Sequence, residues 1–366
     1  MIPVCTPYLA GNEKKYVNDC LKTNWISSAG KYVDLFEERF SRYCGRPHGI
    51  ATTNGTTALH LAVAACGIGP GDEVVMPAFT IASTAFAVIY CGAKPVFVDC
   101  EPDTWNIDPE KIEKKITKRT KAIMPVHIYG HPCDMNTIGA IARKHKLFII
   151  EDAAEAHGAE YNGKKAGGIG NVSCFSFYAN KIVTCGEGGM VVTGNKKIAE
   201  RCRSFKNLSF LKEKRFWHKD LGFNYRMTNI QAAIGLAQLE KIDRFVELRR
   251  RNAAFYTARL KKVSGITLPV ERPGVKNVYW MYGILIDQKF GMTREKFMNA
   301  LKARGIETRT FFLSLHDQPV FKKLGCGSKE TFPVTEDIAR RGLYLPSGSN
   351  LKKKEINYIC DCIEKL

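Results

Sequence analysis

The sequence predicts an α/β fold: a large domain on a mostly parallel sheet, then a smaller α+β domain. Three observations carry this. From about residue 48 to 200, short β-rich runs alternate with helical patterns, and such alternation builds βαβ units. The strand-like runs are apolar without interruption, as expected of strands covered on both faces. Beyond residue 262 the pattern changes to runs such as VYWMYGILI and a helix, TREKFMNALKARG.

In chain order, GIATTN leads into TTALHLAVAACG, and DEVVMPAF into TIASTAFAVIYCG. KPVFVDC leads into DPEKIEKKIT, KAIMPVHIYG into DMNTIGAIARKHK, and LFIIEDAAEA follows. Two shorter strands, VSCFSF and GMVVTG, flank a connection that contains Lys181. A long helix is expected to start near Thr228 and continue through AAIGLAQLEKIDRFVELRRRNAAFYTARLKKV. Its apolar spacing weakens into charge after about Asp243, which suits a helix bridging two lobes. The expected domains are therefore 1–245 and 246–366.

The chain has 366 residues, 45% of them apolar. That is enough for a large core and, at roughly 150 residues each, about two domains. No apolar run reaches the roughly 18 residues a membrane span needs. The N-terminus, MIPVCTPYLAGNEKKYV, lacks the basic and apolar regions of a signal peptide. A cytoplasmic protein with no membrane partner is expected. The 13 cysteines are scattered without metal-ligand pairing, and Cys66, Cys100 and Cys174 sit in apolar runs. Reduced, buried thiols and no metal are expected. The net charge of +19 is spread along the chain. Its densest groups, Arg249-Arg250-Arg251 and Lys352-Lys353-Lys354, read as solvated helix faces or ends. No helix-turn-helix, zinc finger or RNP signature accompanies them, so a polyanionic metabolite fits the charge better than nucleic acid.

Three stretches carry chemistry. In TTNGTTALHLAV, Gly55 ends a strand-like run and Thr56 and Thr57 open a helix. A helix N-terminus there either holds a phosphate or is a simple N-cap. In IIEDAAEAHG, Asp152 follows the strand FII at the carboxyl edge of the sheet, where ligands bind in open α/β sheets. An acid there binds a metal, caps a turn or pairs with a cation. Glu155 and His157 lie nearby, but their spacing matches no metal motif. In SFYANKIVTCGEGGMVV, Lys181 stands between apolar runs. It is either an exposed loop lysine or a buried amine whose proton affinity is lowered, making it a nucleophile. The glycines that follow permit close backbone approach, and Ser176 can bond an anion. A phosphate site, an acid near the sheet edge and a lysine in a later loop together match the needs of pyridoxal phosphate.

The chain resembles the DegT/DnrJ/EryC1/StrS family of sugar aminotransferases over nearly all its length. The matching text includes SSAGKYVDLFEERF, NGTTALHLA, MPAFT, GAKPVFVD, EDAAEAHGA, FSFYANK, GEGGMVVT, NYRMTNIQAAIGLAQLE and ETRTFFLSLHDQP. Within the family, KRFWHKDLGFNYRMTN and MIPVCTPYLAGNEKKYVNDCL are most similar to 4-aminotransferases acting on GDP-linked 4-keto-6-deoxy sugars. The resemblance implies an aspartate-aminotransferase-like fold (fold type I) with a seven-stranded, mostly parallel sheet. It implies that Lys181 forms the imine with pyridoxal 5′-phosphate and that Asp152 faces the pyridine nitrogen. Glu155 would face the 3-hydroxyl, and Gly55, Thr56 and Ser176 would hold the phosphate. Asn224 would reach the phosphate of the neighbouring subunit in a homodimer. Ile81 stands where relatives stack an aromatic or Met on the ring; its aliphatic face lacks that pair geometry. Some relatives that dehydrate their substrate carry His in place of the lysine, and Lys181 argues against that branch.

The activity implied is transfer of an amino group from L-glutamate to the C4 ketone of a nucleotide-linked 4-keto-6-deoxy sugar. Lys31 and Arg226 are candidate diphosphate partners, and His316 lies in a family segment near the sugar pocket. The alternatives are action at C3 or on a UDP- or dTDP-linked sugar, a non-catalytic regulator on the same fold, and, from charge alone, a nucleic-acid binder.

Overall fold

The computed structural model describes residues 1–211, 213–214, 216–327 and 329–366. The large sheet is built from β1 (His48–Thr52), β2 (Glu73–Pro77), β3 (Lys94–Val98), β4 (Thr120–Ile123), β5 (Phe148–Asp152), β6 (Val172–Ser176) and β7 (Gly189–Thr193). Its seven strands run in the spatial order β1-β7-β6-β5-β4-β2-β3. The five from β6 to β3 are parallel, whereas β7 lies antiparallel between β1 and β6.

The unbroken apolar runs have a direct cause. In β2, Val74 and Met76 enter the cluster on one face, and Val75 enters the cluster on the other. In β7, Met190 and Val192 point one way and Val191 the other. Neither face meets water, so alternation is lost. The helix Gly55–Ala65 fills one face with Ala58, Leu61, Ala62 and Val63, all fully buried. The opposite face packs Phe36, Phe40, Phe175 and Phe177.

A second, four-stranded antiparallel sheet comprises Ile266–Thr267, Tyr282–Ile286, Gly342–Leu345 and Arg309–Thr310, in that order. It forms its own core with Tyr256, Leu260, Phe297, Leu301 and Ile359. No helix among the described residues is long and apolar enough to cross a membrane. All 13 cysteines are free.

The long helix expected from Thr228 is two helices, Asn229–Leu239 and Ile242–Leu260. The first is buried on nearly all sides, half of its buried residues being Ala or Gly. The second buries a single stripe that includes Phe245, Val246, Ala253, Tyr256 and Leu260. Lys241 leaves helical geometry at φ −118°, and the break lets each helix present its own buried face. Glu240 at the break accepts from Asn12 at 2.8 Å and Tyr16 at 2.6 Å. The arginine run also departs from expectation: Arg249 lies on the buried stripe, and its exposure is 3%. Lys352-Lys353-Lys354 is exposed.

The end of β5 is anchored by Glu151, which points away from Asp152. Its carboxylate accepts N–H groups from Gly167 (2.8 Å), Ile169 (2.9 Å) and Gly170, and the Ser173 hydroxyl at 3.0 Å. His127 Nε2 lies 3.1 Å away. Burial would raise its carboxyl, but the His127 contact and these N–H bonds outweigh burial and hold it below the usual range. Its stabilisation is therefore present above the unfolded carboxyl range and is lost as pH falls through the lower folded value. Glu151→Gln, which strips a buried set of N–H groups of their charged acceptor, should cost about 2–4 kcal/mol in urea denaturation at neutral pH. The difference from wild type should shrink in acid.

Candidate active site

The carboxyl edge of the sheet opens into a cavity of about 480 Å³. Three chain segments deliver its chemistry. The first is the start of helix Gly55–Ala65. Asn54 caps it, its side chain accepting from Thr57 N at 2.9 Å and its carbonyl from Ala58 N at 3.1 Å. The N–H groups of Gly55 and Thr56 are left without a partner among the described residues, at the positive end of the helix dipole. Gly55 lies so close to β6 that an added Cβ would stand 2.7 Å from Ser176 Cβ. A Cβ at Gly189 would stand 2.2 Å from Asn54 O, so the glycine cluster lets β7 pass beside the cap.

The second segment is the end of β5. Asp152 is 2% exposed and accepts from Thr84 Oγ1 at 2.8 Å and Ala154 N at 3.2 Å. Glu155, in the next turn, is 3% exposed and accepts from Tyr129 N at 2.7 Å. Burial raises the Asp152 carboxyl, against its bonds from Thr84 and Ala154. Burial pushes Glu155 up to about 7, opposed by the charge of Lys181 and the Tyr129 N–H.

The third is the loop between β6 and β7. Lys181 N donates to Tyr178 O at 2.9 Å. The next residues, Ile182 to Cys185, are buried in the core, which turns the lysine side chain toward the cavity. Lys181 is half-buried, and its ammonium lies deep, 3.6 Å from the centroid of the Trp280 ring. Burial lowers its proton affinity and so does Arg249, while Glu155 and Asp152 oppose both. An amine of this kind is available as a nucleophile and base.

Gly55, Thr56, Ile81, Asp152, Glu155, Ser176 and Lys181 all line this one cavity. Ile81 is 47% exposed, at the N-cap of helix Ala82–Tyr90. Four other expected residues stand outside the chain's own cavity lining. Asn224 is exposed, and its Oδ1 accepts from Arg226 Nε and Nη2 at 3.0 and 2.8 Å. Arg226 is spent on Asn224 and on Asn207, at 3.1 Å. Lys31 pairs with Asp19 at 2.8 Å. His316 also lies outside this lining. Its buried ring packs on Phe332 and lies 3.2 Å from Glu336, held in place where Leu315 N bonds Ala78 O.

Several cavity residues escaped sequence reasoning. Trp280, Phe312 and Tyr344 come from the second lobe and form the far wall. They join Tyr129 and Phe311 in one aromatic cluster. The sequence signal for Trp280 and Phe312 is aromatic richness in VYWMYGILI and ETRTFF; Tyr344, in RRGLYLPSG, carries none. Thr84 could have been suspected, since it falls in the first turn of a helix beginning at the same sheet edge. Asn180 lines the cavity with a buried Oδ1 that has no partner among the described residues.

Comparison with known proteins gives a consistent picture. Residues 7–364 match the model of the DegT/DnrJ/EryC1/StrS aminotransferase family. The chain is 44% identical over 366 residues to GDP-perosamine synthase of Caulobacter vibrioides, covering 100% of this chain and 98% of that protein. It is 44% identical to GDP-perosamine synthase of Escherichia coli O157:H7, with the same coverage. Among solved structures, S. venezuelae DesV, crystallised with a ketimine intermediate, superposes with a TM-score of 0.91 at 35% identity. That match covers 97% of this chain and 94% of DesV.

The raised Glu155 carboxyl gives a pH signature. In the cofactor-free protein the neutral form is favoured by burial, so its stability term is intact below the unfolded range and is lost as pH rises through about 7. Glu155→Gln should remove this loss. Thermal midpoints measured from about pH 5 to 8 should fall less steeply in the variant than in wild type.

Proposed function

The chain belongs to the DegT/DnrJ/EryC1/StrS aminotransferase family, and on that premise we propose the following function. It transfers an amino group from L-glutamate to the C4 ketone of a GDP-linked 4-keto-6-deoxy sugar, with pyridoxal phosphate as cofactor. One observation carries the reading: Lys181, the buried Asp152 carboxylate and the start of helix Gly55–Ala65 open into a single cavity. The GDP-linked acceptor is supported by the relatives named GDP-perosamine synthase, matched from end to end of this chain.

The residues fit the cofactor. The close approach of Gly55 to Ser176 leaves a side-chain-free cradle at a helix N-terminus, suited to a phosphate. The unpartnered Asn180 Oδ1 offers an acceptor to a donor group. When bound, pyridoxal phosphate supplies the electron sink for the carbanion at the amino acid's Cα.

The chain's own groups do the rest. Gly55 and Thr56 N–H, with the Thr56 and Ser176 hydroxyls, would hold the phosphate. Asp152, its carboxylate fixed by Thr84, would hold a proton on the ring nitrogen, and that positive charge would favour the ionised carboxylate which burial alone disfavours. Glu155 would face the ring hydroxyl. Ile81 would cover one ring face by dispersion, and Trp280 shields one side of the amine. Lys181 Nζ would be the attachment point and, once freed, would take the proton from the donor's Cα and pass it to the cofactor. In the second half-reaction it would recover a proton from the cofactor and deliver it to C4 of the sugar. A base so placed contributes roughly 10²–10⁴-fold. Asn224 is exposed and turned from its own cavity, which suits service to a neighbouring subunit in a homodimer.

Purified protein should be yellow, and borohydride should fix the chromophore on Lys181 by peptide mass. Lys181→Ala should lose the band and at least about 10³ of turnover; wild-type turnover in that variant would end the reading. Offered GDP-, UDP- and dTDP-linked 4-keto-6-deoxy sugars with glutamate, the enzyme should aminate the GDP sugar preferentially, as read by product mass. Preference for another nucleotide would leave the aminotransferase and refute the acceptor.

A further inference from the structure

Arg249 reaches from the bridging helix Ile242–Leu260 into the seam behind the cavity. Its guanidinium donates to Trp280 O at 2.6 Å, Ser347 O at 3.0 Å, Ser349 Oγ at 3.1 Å and Cys5 Sγ at 3.5 Å. Every one of these acceptors is neutral. Among the described residues no carboxylate pairs with it, although the next residue, Arg250, pairs with Glu271. Arginine keeps its proton in proteins. A full positive charge is therefore buried at 3% exposure with its hydrogen bonds made and its charge uncancelled. Such burial is costly, so the position calls for a compensating use.

That charge is wired to Lys181. Trp280, whose carbonyl Arg249 holds, places its ring 3.6 Å from Lys181 Nζ. The indole N–H donates to Asn180 O at 2.8 Å, fixing the residue before the lysine. Cys5 Sγ, bonded to Arg249, also reaches Asn180 O at 3.5 Å. The charged groups that face Lys181 are Asp152 at the end of β5, Glu155 in the following turn, and Arg249 from the bridging helix. His157, buried nearby, is pushed down to about 3 by burial and stays neutral. Where ionised, these two carboxyl groups on their own would favour the ammonium, a form that can neither attack nor accept a proton.

We propose that Arg249 is a positioning residue for Lys181. It clamps Trp280 and Asn180 against the lysine, and its uncancelled charge offsets the two carboxylates so that Nζ is available as the free amine. Its electrostatic direction agrees with the lowered proton affinity of Lys181, to which burial is the larger contributor. The inference rests on Lys181 as the reacting amine, but its test does not depend on turnover.

The test is competitive acetylation of the full-length, cofactor-free protein with acetic anhydride across pH, with acetyl-Lys181 quantified by mass spectrometry. In wild type the half-point should lie below the ordinary lysine range of roughly 10.4. Arg249→Met should raise it by about one pH unit, a roughly tenfold loss of labelling near neutrality. Arg249→Lys, which keeps the charge, should stay near wild type. Cys5→Asp, which sets a carboxylate beside the guanidinium, should raise the half-point as Arg249→Met does. An unchanged half-point in Arg249→Met, or an equal rise in Arg249→Lys, overturns the proposal. If Arg249→Met does not fold, an unchanged half-point in Cys5→Asp overturns it. Absence of a borohydride adduct on Lys181 in the loaded wild type would instead defeat the functional reading, leaving these half-points to stand separately.

Discussion

One constraint organises the molecule: a lysine amine must sit beside two buried carboxyl groups without being locked in its charged form. Asp152 and Glu155 favour the ammonium, while burial and Arg249 disfavour it. In water such opposing terms would be small. Beside a buried aromatic wall they act at reduced dielectric and bear more strongly on the amine. Much of the surrounding architecture positions these few groups relative to one another.

The scaffold does so with local, rigid devices. Asp152 is held from three directions, by the Thr84 hydroxyl, by the Ala154 N–H and by its strand neighbours. Glu151, on the other side of the same strand, gathers the Gly167–Gly170 turn and His127 into one buried network. The parallel half of the sheet therefore ends in two adjacent carboxylates with opposite duties. One secures the fold, and the other lines the cavity. The antiparallel insertion of β7 brings the Gly186–Gly189 cluster beside Asn54, which joins the lysine loop to the helix that offers N–H groups to an anion.

The second lobe supplies the remaining wall. Trp280, Phe312 and Tyr344 meet Tyr129 of the large lobe in a continuous aromatic cluster. This cluster packs the two lobes against each other beside the amine. Arg249 lies where the helix Ile242–Leu260, the segment at Cys5 and the residues flanking two strands of the second sheet converge. A movement of one lobe against the other would therefore be felt at Trp280 and at the lysine loop.

The sequence by itself determined the doubly covered sheet, because strands buried on both faces must be apolar at every position, as Val74, Val75 and Met76 are. It also exposed Gly55, Asp152, Ser176 and Lys181, because each stands at a strand end or helix start, where the local pattern changes. The roles of Asn224 and Ile81 came from resemblance, and the helix break at Glu240 and Lys241 was hidden by helical composition on both sides. Only the tertiary structure decided that Arg249 is buried while its neighbours are not, that Trp280 covers the amine, and that His316 packs on Phe332 instead of the cavity. The reason is physical. Periodicity and local propensity act through neighbours in the chain, whereas the charge balance at Lys181 arises from groups on separate lobes that meet only when the chain folds.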